Sequence, residues 1–80
     1  MSEVREQIDV LVRALVDEED EVEVTEEDLG GTRLLQVRVA PDEIGKVIGR
    51  QGRTIRSLRN LLEVRGTERG VYYELEVLED

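Results

Sequence analysis

The 80-residue chain contains no cysteine and no histidine. The first absence excludes disulfides and thiolate metal sites. The second removes the commonest metal ligand and the commonest general base. Most small-enzyme chemistries fall at this step, and no cofactor is implied. No apolar run reaches the roughly 18 residues of a membrane span. The N-terminus lacks the basic-then-apolar pattern of a signal peptide, so the cytoplasm is the expected location. Positive charge is also scarce. Eleven lysines and arginines face twenty acids, a formal net charge of −9. That balance argues against a general polyanion binder.

What is present is unevenly spread. Residues 1–31 carry twelve acids and two bases, whereas residues 32–80 carry eight acids and nine bases. Residues 44–60 hold five bases (Lys46, Arg50, Arg53, Arg56 and Arg59) and no acid. Charge alone would allow this segment to be a solvated helix face. A chain of this length makes one small domain over residues 1–80, burying only about 60% of its unfolded surface.

Periodicity gives the order of elements. Val4, Ile8, Leu11, Val12 and Leu15 recur on one face of a helix over residues 3–16, and Ser2 suits its N-cap. Asp17 to Glu21 are all acidic and read as a solvated turn. Alternating Val22 and Val24, then Leu35, Val37 and Val39, predict two strands joined at Asp28-Leu29-Gly30-Gly31 as a hairpin. Pro41 suits the start of a helix, with Asp42 and Glu43 favoured by the dipole of its first turn. Gly49 and Gly52 keep that helix short. A second helix follows from about residue 53 to 65, with Ile55, Leu58, Leu61 and Leu62 as its apolar stripe and Gly66 as its left-handed end. Val71, Tyr73, Leu75 and Val77 alternate in a last strand. The predicted class is α+β, in the order helix-strand-strand-helix-helix-strand, with a three-stranded sheet and helices on one face. The two-helix crossover is long enough for parallel pairing.

The chemistry concentrates between Ile44 and Arg56. Gly49 and Gly52 make a tight turn of little bulk, which lets another backbone approach. The second glycine leads into a helix N-terminus, where unpaired N–H groups and the dipole attract phosphate. Arg50 projects from the loop, and Arg53, Arg56 and Arg59 follow along one side of the next helix. Ile44, Val47, Ile48 and Ile55 flank the loop as core or as the lining of a groove for bases.

Val47 to Ile55 spells V-I-G-x-x-G-x-x-I, and at this point the chain resembles KH domains. The element order is similar to the type II, prokaryotic arrangement. The length and the run Val39-Ala40-Pro41, then Ile44 to Gly52, resemble small stand-alone bacterial KH proteins of the KhpA type. The resemblance implies a type II KH fold, a clamp on single-stranded RNA, and a role as RNA chaperone or post-transcriptional regulator. It also implies a homodimer, or a heterodimer with a larger Jag-type KH protein. Gly49 and Gly52 would set the loop, and Arg50 and Gln51 would touch the phosphate backbone. Thr54 lies within the same stretch. Lys46, Arg53 and Arg56 are added on charge alone.

Other readings stand beside this one. The KH fold could serve as a protein-interaction or dimerisation module. Single-stranded DNA could be the ligand, since the choice depends on contacts to the 2′-hydroxyl. Arg56 and Arg59 could merely balance nearby acids. Tyr72 or Tyr73 could stack bases, but neighbouring strand residues face opposite ways, and Tyr73 suits the core. The acidic runs lack EF-hand spacing. No membrane or small-molecule partner is expected.

Overall fold

The computed structural model describes residues 2–79. Helix α1 spans Glu3–Leu15. Strands β1 (Glu23–Asp28) and β2 (Thr32–Arg38) form the hairpin, α2 is Ile44–Ile48, α3 is Arg53–Arg69, and β3 is Tyr72–Val77. This is the expected α+β order. The sheet runs β1-β2-β3. β1 pairs antiparallel to β2, and β3 pairs parallel to it.

Ser2 caps α1, its Oγ accepting from the Arg5 amide at 3.2 Å. Val4, Ile8 and Val12 bury the inner stripe of α1. Leu11 was expected on that stripe but remains 39% exposed. It borders an open hollow that it shares with Val10 and with Leu61 of α3. The inner face of the sheet supplies Val24, Leu35, Val37 and Leu75, and α3 supplies Ile55, Leu58 and Leu62. Each such side chain contributes about 1.5–3 kcal/mol on burial.

Helix α3 runs four residues past the expected end. Gly66 is interior, and the left-handed cap is Gly70, with φ 71° and ψ 30°. Gly66 is needed for closeness rather than for termination. A Cβ there would lie 2.5 Å from the Val71 carbonyl oxygen. The bare backbone lets β3 turn back against the helix, and the Val71 amide donates to the Gly66 carbonyl at 3.0 Å.

The opposite face of the sheet is mostly polar. By register it carries Glu23, Thr25 and Glu27 from β1, Thr32, Leu34, Gln36 and Arg38 from β2, and Tyr72, Glu74 and Glu76 from β3. Helices therefore cover one face only. None of the described helices is long and apolar enough to cross a membrane.

Candidate nucleic-acid interface

A short 3-10 turn at Pro41–Glu43 leads into α2. Five residues are too few for a self-sustaining helix, so α2 is held by packing. Val47 is fully buried at 0% exposure, while Ile44 and Ile48 are half-buried against the same core. The helix ends where the Gly49 amide donates to the Gly45 carbonyl at 2.8 Å.

The loop then takes an uncommon path. Gly49 has φ 80° and ψ 168°, a region open essentially to glycine alone. A Cβ at Gly49 would also lie 2.6 Å from the Thr54 Cβ and 2.8 Å from its backbone nitrogen. Gln51 is left-handed at φ 57°, and so is Gly52 at φ 71°. A Cβ on Gly52 would meet nothing within 4 Å, so its constraint is conformational only. The Gly52 amide donates back to the Gly49 carbonyl at 3.0 Å.

Side chains brace this turn from α3. Arg53 Nη2 donates to Gln51 Oε1 at 3.1 Å, and Arg56 Nη2 reaches the Gln51 carbonyl at 3.4 Å. Arg50 is exposed, and its side chain has no partner among the described residues. The loop thus offers one free guanidinium, two that stiffen it while staying exposed, and little side-chain bulk. Such a surface suits the negatively charged, repeating backbone of a nucleic acid.

The predicted site residues divide into three groups. Gly49, Arg50, Gln51, Gly52, Arg53, Thr54 and Arg56 come together at the loop. Val47 and Ile55 lie in the core beneath it, at 0% and 8% exposure, and act as support rather than surface; Ile44 and Ile48 are half-buried beside them. Lys46 points elsewhere. Its Nζ bonds Asp17 Oδ2 at 2.7 Å and Glu43 Oε2 at 3.0 Å. The hydrogen bonds it donates to Asp17, then to Glu43, push its pKa up to about 12.

Two features escaped the sequence reading. A groove of about 870 Å³ runs between α3 and β3, lined by Arg59, Glu63, Gly66, Tyr72 and Glu74 among others. Arg59 spans it, Nη2 reaching the Leu75 carbonyl at 3.4 Å. Tyr72 stands 78% exposed at its edge, while Tyr73 packs on the core. Helical spacing put Arg59 on the side of Arg53 and Arg56, but only the return of β3 makes a wall opposite it. The second feature is Glu43, expected only as a first-turn acid favoured by the helix dipole. It is buried at 4% exposure.

Comparison with known proteins gives a consistent picture. The family model described as KhpA/KhpB, KH domain, matches residues 5–77. The chain is similar to the RNA-binding protein KhpA of Aquifex aeolicus, with 42% identity over 99% of this chain and 100% of that one. It is 47% identical to the RNA-binding protein KhpA of Streptomyces coelicolor, over 88% and 87% of the two chains. The corresponding protein of Treponema pallidum is 43% identical over 92% of each. No solved structure gives a significant match.

Proposed function

Because this chain belongs to the KhpA/KhpB KH-domain family, we propose that it is a non-catalytic protein that binds single-stranded RNA through the loop Gly49 to Gly52. The observation that carries the reading is the loop itself. Its first glycine has a backbone conformation and a close neighbour that no side chain would tolerate, and the exposed Arg50 beside it lacks a protein partner among the described residues. The names of the relatives point to RNA as the ligand. In this reading the domain works in the cytoplasm as an RNA chaperone or regulator. With about three phosphates engaged, log K should fall against log salt with a slope near −2. A fourfold rise in salt then weakens binding more than tenfold.

The test is fluorescence anisotropy with a short labelled single-stranded RNA. Arg50→Asp combined with Gln51→Asp should abolish binding and leave the circular dichroism spectrum unchanged, because both side chains are exposed. Undiminished affinity in this variant would reject the loop as the site. A single-stranded DNA of the same sequence, run in parallel, reports whether the 2′-hydroxyl contributes.

A second, compatible reading is association with a second copy or with a larger Jag-type KH protein. Val10 and Leu11 of α1 are exposed, at 65% and 39%, and share a small apolar hollow with Leu61. Two linked sites would raise avidity without any new RNA contact. Light scattering behind size exclusion measures the state, and a strict monomer that captures no such partner counts against it.

A further inference from the structure

Among the described residues, Glu43 is the one charged residue that is buried, at 4% exposure. It lies in the turn that opens α2, yet its partners lie in the connection after α1. Its Oε2 accepts from the Asp17 amide at 2.6 Å, and its Oε1 from the Glu18 amide at 2.9 Å. Lys46 Nζ then bridges Glu43 Oε2 and Asp17 Oδ2. Both carboxylate oxygens are in use, and a buried carboxylate is tolerable only when so satisfied.

The placement is unfavourable on charge alone. Residues 17–21 are five consecutive acids, and Glu43 adds a sixth negative charge against them. Two backbone amides and one ammonium outweigh that repulsion. Consistently, the Glu43 carboxyl is held below its ordinary value, first by the Asp17 amide and then by the Glu18 amide.

What this anchor holds is the root of the loop. Helix α2 is five residues long, a rod of about 7.5 Å at 1.5 Å per residue. Glu43 fastens one end of the rod, and Gly49 begins at the other. On the helical wheel, Lys46 lies about 180° from the mean direction of Ile44 and Ile48. It therefore clamps the side of α2 facing away from those apolar residues. Loosening Glu43 leaves the start of the rod held by the packing of Val47 and its apolar neighbours and by the exposed Lys46–Asp17 pair, a weaker hold that lets it tilt and carry the loop with it.

We propose that Glu43, assisted by Lys46, is a positioning residue for RNA binding. It ties the acidic connection after α1 to the root of α2 and so fixes where Gly49–Gly52 is presented. This rests on the RNA-binding reading above, and the test separates the two.

The experiment joins native-state hydrogen exchange to anisotropy with the same short labelled RNA, well below the melting midpoint. Glu43→Gln keeps the size but offers only one acceptor oxygen to two amides. It should deprotect the Gly49 and Gly52 amides while the β2–β3 amides keep their protection. If the competent loop population falls to about one tenth, affinity falls about tenfold, with the salt slope unchanged because no phosphate contact is lost. Asp17→Asn, which keeps both amide bonds, should bind close to wild type. Lys46→Met should weaken binding at an unchanged slope; it keeps the two amide bonds and carries the test if Glu43→Gln fails to fold. A slope shallower by about 0.7 in Lys46→Met would make Lys46 a phosphate ligand and overturn its positioning role. Uniform deprotection of sheet and loop, or a deprotected loop with undiminished affinity, would overturn the role of Glu43. If Arg50→Asp combined with Gln51→Asp spares RNA binding, the functional reading fails, and the exchange pattern still decides whether Glu43 fixes the loop.

Discussion

The two faces of this molecule carry opposite charge for different reasons. The open face of the sheet presents Glu23, Glu27, Glu74 and Glu76 around Arg38. The loop and the first turns of α3 present Arg50, Arg53 and Arg56 with no acid between Ile44 and Asn60. A net charge of −9 describes neither. The screening length at physiological salt is about 8 Å, so acids of the open sheet face lying farther than that from the loop act only weakly on a ligand there. The difference teaches that net charge governs long-range encounter at low salt, while local geometry governs what is held.

Several substitutions would break or sharpen that contrast. The largest effect is expected on the loop side at Gly49→Ala. It adds a forbidden conformation, costing about 1–3 kcal/mol, to a collision with Thr54, and RNA affinity should be lost in an anisotropy titration. Gly52→Ala meets open space and bears only left-handed strain, about 1–2 kcal/mol. It should bind measurably but more weakly; equal damage at both glycines would mean the Thr54 contact does not matter. A smaller effect is expected from Arg50→Gln, which removes one guanidinium from the proposed clamp and should make the salt slope shallower by about 0.7. On the sheet side, Glu23→Gln with Glu27→Gln should change affinity less than about twofold near 0.15 M salt, given the screening. A large gain there would place part of the RNA path across the sheet.

Acid titration adds a further test within the loop's support. The folded Glu43 carboxyl lies below its ordinary value of 4.5. Its contribution is therefore fully present above that value and is lost as pH falls through the lower folded value. Urea midpoints of wild type and Glu43→Gln should differ most near neutrality and converge in acid. A constant gap across the range would detach the carboxylate charge from the effect.

Much of the fold was legible because the signals were local. The alternation of Val22 and Val24, and of Leu35, Val37 and Val39, marks strands whatever surrounds them, and Ser2 needs only the first turn of α1 to act as its cap. The loop was legible for the same reason: Gly49 and Gly52 between two apolar flanks specify a turn within four residues. Misreadings arose where a residue serves something distant in sequence. Gly66 looks like a helix end because glycine commonly ends helices. It lies inside α3 because Val71 must pass close by. Glu43 looks like an ordinary first-turn acid, and its partners lie 26 and 25 residues away. Lys46 looks like another base in a basic run until Asp17 arrives beside it.

The sequence by itself determined the elements, the glycine loop and the concentration of bases around it, because each depends on spacing along a few turns of chain. The tertiary structure alone decided which bases remain available. Arg50 stays without a protein partner among the described residues, Arg53 and Arg56 brace the turn, Arg59 crosses to β3, and Lys46 is held by Asp17 and Glu43. A cation's partner is set by which opposite charge or carbonyl the fold brings within about 3 Å, and that distance is not written in the order of residues.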